Sequence, residues 1–150
     1  MAGTGTGGDY TMNSKRKEIV EELNRLMAEE LEGFLRYFQM RYRLKGIDRL
    51  AADKFFSHAL EETLEHAEEI AKQIRSLGET PRLNINLSAA GGPTNLTEAL
   101  QETLAVEQQA LDAYKEMLPR VTGDPVLEDF IRKQIATETE HIQEIKTLLE

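Results

Sequence analysis

Residues 127–145, LEDFIRKQIATETEHIQEI, carry apolar side chains at Leu127, Phe130, Ile131, Ile135, Ile142 and Ile145, the spacing of one helix face. Following that face residue by residue gives Leu127, Ile131, Gln134, Glu138, His141, Ile145. Glu138 and His141 do not belong on such a stripe. A carboxylate among aliphatic side chains is costly unless it is paired or bound to a cation. Glu-x-x-His puts both groups on one side of a helix, one turn apart. Just upstream, Gly123-Asp124-Pro125 supplies a stop, an N-cap and an N1 proline. The stretch therefore predicts a helix over about 125–150 with two metal-ligating groups on its inner face.

Three more segments have helical periodicity, over about 14–45, 48–77 and 96–122. The first carries Ile19, Leu23, Leu26, Met27, Phe34, Phe38 and Leu44, and Gly46 follows it as a stop. Asp48 is placed to cap the second, which Gly78 closes. So short a joint makes these two helices antiparallel neighbours. Between residues 79 and 94 the texture changes. Thr80-Pro81 and Gly91-Gly92-Pro93 break helix, and Leu83-Asn84-Ile85-Asn86-Leu87 alternates like an extended segment. Asn95 and Glu98 have capping-box spacing at the start of the third helix. The expectation is an all-α protein: an antiparallel four-helix bundle, residues 14–150, with one long crossover between helices 2 and 3. Residues 1–13, rich in Gly and Thr at the start, are expected to be a flexible tail.

Each helix has an intruder near its middle. In the first the stripe runs Leu23, Leu26, Glu30, Phe34, Tyr37, Arg41, Leu44; in the third, Leu100, Thr103, Glu107, Leu111, Tyr114, Leu118. In the second it runs Phe56, Ala59, Glu62 or Thr63, His66, Ile70, Ile74. One such glutamate is ordinarily a solvated edge residue. Four at matching heights would converge, and a metal cluster makes that convergence favourable. Carboxylate oxygens suit hard cations and can bridge two of them, while imidazole suits iron, zinc and manganese. His58 has no counterpart in the fourth helix and reads as structural or surface. Glu65 points about 100° away from His66 and reads as solvated.

Composition narrows the function. With no cysteine there are no disulfides, thiolate metal sites or Cys nucleophiles, and a reducing cytoplasm fits. A formal charge of −9 makes direct nucleic-acid binding a poor expectation. No apolar run is long enough for a membrane span, and Met1–Gly8 has no secretory-signal character.

On these residues the chain resembles the ferritin-like superfamily, bacterioferritin most of all, over about residues 19–150. The resemblance rests on Glu30 with Tyr37 seven residues on, on Glu107 in Leu104-Ala105-Val106-Glu107, on Glu138-Thr139-Glu140-His141, and on His66-Ala67-Glu68-Glu69-Ile70. It implies a pair of iron ions, with manganese or zinc as alternatives, held by Glu30, Glu62, His66, Glu107, Glu138 and His141. Three departures stand out. The family's Glu-x-x-His in the second helix is here Thr63-x-x-His66. Glu62 lies about 40° from His66 in azimuth and can still point inward, or the site lacks this carboxylate. The family's haem methionine is replaced by Leu64, so no haem is expected there. The sequence ends nine residues after His141, so the short fifth helix of large cages is not expected. A dimer, a twelve-subunit shell and another cage all fit.

The resemblance implies a cytoplasmic ferroxidase that oxidises Fe(II) with O2 or peroxide for iron storage or detoxification. Tyr37 and Tyr114 are either hydrogen-bond donors to ligating carboxylates or plain core tyrosines. The alternatives are a rubrerythrin-like peroxidase or catalase on the same di-metal site, or a non-enzymatic mini-ferritin-like or scaffold protein.

Overall fold

The structure is a computed structural model and describes residues 7–87 and 91–150, with side chains from Asn13 onward at the N-terminal end. The part of the expected tail before Gly7 lies outside the described residues. Helix α1 spans Gly7–Arg43, α2 Ile47–Ser76, α3 Leu96–Met117 and α4 Pro125–Leu149. A 3-10 turn, Leu118–Val121, finishes the third helical segment. Helix α1 is already helical at Gly7 rather than starting near Ser14. No proline stands between Asp9 and Ser14 to stop it.

The helix ends follow local chemistry, with one exchange of partners. Asn95 caps α3 by accepting from the Glu98 N–H, and Glu98 reaches back to the Thr94 N–H. Asp124 caps α4 by accepting from the Leu127 N–H, ahead of Pro125. Asp48, expected to cap α2, instead accepts from the Leu96 N–H at 3.1 Å. The start of α2 thus caps the start of α3, which pins both to one end of the bundle.

The described parts of the connection, residues 79–87 and 91–94, lie along α1. The Arg82 N–H donates to Asn24 Oδ1 and the Asn86 N–H to Glu32 Oε1, and Gly91 lies beside Arg43. Asn24 is buried, and its Nδ2 donates to the Val20 carbonyl, so both ends of this amide are satisfied. The Leu83–Leu87 segment is irregular; its Leu83, Ile85 and Leu87 side chains are exposed. The result is an all-α bundle of two antiparallel hairpins joined by one long crossover.

Two apolar clusters fill the interior. One, toward the N-terminal half of α1, is built on Leu23, Leu26, Ile70, Tyr114, Met117 and Ile131. The other, at the opposite end, is built on Tyr37, Met40, Leu44, Phe56, Leu60 and Ala99. The α1 stripe ends on Met40 and Leu44 rather than on Phe38 and Arg41. Phe38 is 52% exposed and Arg41 pairs with Asp53 at 2.8 Å. The candidate ligands lie between the two clusters.

Candidate metal centre

Five of the six sequence-predicted ligands form two groups. Glu30 of α1, His66 of α2 and Glu138 of α4 make one; Glu107 of α3 with Glu138 and His141 of α4 make the other. Within each group the ligand atoms lie within 4.8 Å of one another. Glu138 belongs to both, as a bridging carboxylate would. His66 Nδ1 stands 3.8 Å from Glu30 and 3.6 Å from Glu138. His141 Nδ1 stands 3.4 Å from Glu107 and 3.7 Å from Glu138. The two imidazole rings are nearly parallel, 19° apart, with centroids 6.0 Å apart.

The two tyrosines cross the centre. Tyr37 of α1 donates to Glu107 of α3, and Tyr114 of α3 donates to Glu30 of α1 at 3.0 Å. Each tyrosine is seven residues, about two turns, past its own helix's glutamate, and each reaches the other helix's glutamate. Both are almost wholly buried, and burial, then nearby carboxylates, raises both phenols well above their ordinary range. They remain protonated donors, the role expected of groups that orient ligating carboxylates.

Helices α2 and α4 break this symmetry. Each carries a histidine, and three residues before it α4 has Glu138 while α2 has Thr63. Thr63 is buried, its Cβ side toward Gly33, and its hydroxyl is tied back to the Ala59 carbonyl at 2.6 Å. Glu62 stands outside both groups. Its carboxylate lies 2.9 Å from His141 Nε2, the far side of the ring from Glu107 and Glu138, and 3.0 Å from His58 Nε2. His58, read from sequence as structural or surface, is exposed and holds the outer oxygen of Glu62. No periodicity argument reveals that contact, because both residues sit at the edge of the buried face. Glu65 is exposed, and Leu64 is on the outer side at 42% exposure.

The buried groups shift one another's protonation. Burial pushes Glu138 up to about 10, with Glu107 adding to the rise. Burial also works against charge on Glu107, but hydrogen bonds from Glu138, His141 and Tyr37 outweigh it and hold Glu107 down at about 2. For His141, burial opposes charge and the Glu107 and Glu138 carboxylates overcome it, taking it up to about 11. His66 is raised in the same way, burial opposing and Glu30 prevailing. Without a cation, the site therefore holds protons in the places where one would sit.

The donors fit a pair of divalent cations. They comprise three inner carboxylates and two imidazole Nδ1 atoms, with no sulfur, a set suited to iron, manganese or zinc. Glu138 Oε2 is buried with no hydrogen-bond partner among the described residues. An unsatisfied buried carboxylate oxygen is costly, and a cation between the two groups would satisfy it.

Four antiparallel helices enclosing two Glu/His groups that share one carboxylate define the ferritin-like class. Residues 20–150 match the family described as a ferritin-like domain, and the chain belongs to that family. Among solved structures it is similar to a ferritin-like diiron-carboxylate protein from Bacillus anthracis str. Ames, at 26% identity and a TM-score of 0.82, covering 91% of this chain and 98% of that one. It shares its fold with the bacterioferritin of Desulfovibrio desulfuricans, at 21% identity and a TM-score of 0.81, covering 91% and 80%. It also shares it with a Dps protein of Vibrio cholerae O1, at 13% identity and a TM-score of 0.84, covering 91% and 92%. Compared by sequence with curated proteins, the chain has no significant match. No described helix is long and apolar enough to cross a membrane.

Proposed function

We propose that the chain is a ferroxidase that takes Fe(II) as substrate at two adjacent positions and passes its electrons to O2 or peroxide, for iron storage or detoxification. The observation that supports this most is the sharing of Glu138 between two His/Glu groups held by one chain. Metal ions bound there would supply the redox chemistry. The protein's own residues do the rest. Glu30 with His66 and Glu107 with His141 would each hold one ion, and Glu138 would span both. Tyr114 and Tyr37 fix the two outer carboxylates by hydrogen bonds from the opposite helix. Glu62 fixes His141 by its Nε2 side, which leaves Nδ1 free of its proton to bind metal. Protons displaced from Glu138 and His141 on loading leave the pocket for solvent.

The intrachain completeness of both groups favours this reading over one in which partner subunits share ligands. A homo-oligomer, dimer or larger shell, in a cytoplasmic setting, is part of this reading; a bacterioferritin-related protein of Bacteroides fragilis with this fold is dodecameric. Anaerobic titration with Fe(II), followed by exposure to O2, tests the proposal. Two irons bound per chain and a rise in ferric absorbance on oxygenation are expected. A chain that binds no iron, or binds it without oxidation, would sink the ferroxidase reading.

A further inference from the structure

Cavities adjoin the centre on two sides, and the smaller, about 370 Å³, is lined by Glu30, Tyr37, Glu107, Tyr114 and Glu138. A cavity of about 510 Å³ runs from the surface to the ligands, walled by α2, α3 and α4. Its inner lining is formed by Glu30, Thr63, His66, Glu107 and His141, and its walls by apolar side chains, Phe55, Ala59, Leu100 and Ile145 among them. A concave, mainly apolar space of this size with a few converging polar groups is what small-molecule sites look like. Ferrous ions need no such walls, since a hydrated cation gains nothing from Leu100 and Ile145.

The inner lining adds a second observation. Helices α1 and α3 match across the centre, Glu30 with Tyr37 against Glu107 with Tyr114, and the histidines of α2 and α4 match as well. The one mismatch is Thr63 against Glu138. Three inner carboxylates against two divalent cations leave one positive charge; Glu62 of α2 is near, but its two oxygens face His141 Nε2 and His58 rather than the two groups. Thr63 lines the cavity beside Glu30, Glu107, His66 and His141. The Thr63 hydroxyl is bound to its own helix and makes no demand on what sits above it. Among the lining residues Lys54 offers an entering anion a cation, beside Glu62 and Glu144.

We infer that this cavity binds a small apolar molecule bearing a single carboxylate, head first, so that the carboxylate occupies the place where Thr63 stands instead of a fourth glutamate. The inference rests on the di-metal reading above. The apolar tail lies against Leu100, Ala59 and Ile145, and the head supplies the inward carboxylate that α2 lacks at position 63.

Calorimetric titration with octanoate, octanol and acetate tests it, using the full chain metal-free and loaded with Zn(II), which undergoes no redox change. Octanoate is expected to bind the loaded protein about tenfold or more tighter than the metal-free protein, and about tenfold tighter than octanol or acetate bind the loaded one. Thr63→Glu is expected to abolish octanoate binding while keeping or tightening Zn(II). Ala59→Phe is expected to weaken octanoate and spare acetate. Octanoate binding that ignores the metal, or that survives Thr63→Glu, overturns the inference. Should Thr63→Glu not fold, the comparison of octanoate with octanol and acetate on the unaltered chain decides. If the chain binds Zn(II) and oxidises Fe(II) but octanoate does not distinguish loaded from metal-free protein, this inference alone fails. If no metal binds, the di-metal reading fails with it.

Discussion

The Tyr37 hydroxyl of α1 lies 2.5 Å from Glu107 Oε1 of α3, across the middle of the bundle. Tyr37 is 1% exposed, so this bond is made without competition from water. It also helps hold Glu107 ionised, together with Glu138 and His141. Tyr37→Phe keeps the ring that packs on Phe56 and removes only the donor. The metal-free protein is expected to lose about 1–3 kcal/mol in urea unfolding, the cost of leaving a buried charged acceptor short of a partner. Metal should restore part of that loss, because a cation replaces the missing donor. A variant with unaltered urea midpoint would show that the bond contributes nothing to the fold.

Glu138 separates stability from metal binding. Its carboxyl rises from an ordinary 4.5 to about 10 in the folded protein. Between those values the folded chain keeps a proton that the unfolded chain has lost, so stability falls as pH rises. Glu138→Gln imitates the protonated form. In the metal-free state this variant is expected to match the parent near pH 4.5 and to exceed it in melting temperature near pH 9. Its metal stoichiometry should nevertheless drop below two per chain. A variant less stable than the parent at pH 9 would count against the raised carboxyl.

Much of this was legible in the sequence. The intruding Glu30, Glu107, Glu138 and His141 needed only helical periodicity, because an ion on an aliphatic stripe breaks a pattern that neighbouring residues define. The crossover was legible from Pro81 and Gly91-Gly92-Pro93. Its route was not, since it depends on the Asn24 and Glu32 side chains meeting backbone N–H groups 58 and 54 residues away. The cap exchange at Asp48 was hidden for the same reason: its partner Leu96 is 48 residues on. For Glu62 the azimuth was readable, but not which side of the His141 ring it meets.

Metal loading should release protons. At pH 7 the metal-free site carries a protonated Glu138 and a protonated His141, the latter raised from 6.5 to about 11. Both groups contribute in one direction: between their unfolded and folded values the folded chain binds a proton that the unfolded chain does not, so the metal-free protein loses stability from about pH 4.5 upward through Glu138, and more steeply from about pH 6.5, where His141 adds to it. Metal must displace both, and any proton on the raised His66 as well, so about two to three protons per chain are expected to appear on loading. Calorimetry in buffers of different ionisation enthalpy measures that number. The rise in melting temperature produced by Zn(II) should also grow from pH 6 to pH 8. A release near zero, or a rise independent of pH, contradicts the protonated centre.

Glu62 has two readings that one variant separates. As a ligand it would contribute a donor atom, and Glu62→Ala would cost a metal ion. As an orienting group it acts through His141 Nε2, 2.9 Å away, and Glu62→Ala would leave two ions bound more weakly. The geometry favours orientation, because Glu107 and Glu138 face the opposite ring nitrogen, Nδ1. Loss of such a partner ordinarily costs about 10–100-fold in metal affinity. The expected result is therefore two Zn(II) per chain, with the weaker-held one released about 10–100-fold more readily. His58→Ala should do far less, since His58 is 67% exposed and touches only the outer oxygen of Glu62. A Glu62→Ala chain that holds a single ion at saturating metal would restore Glu62 to the ligand set.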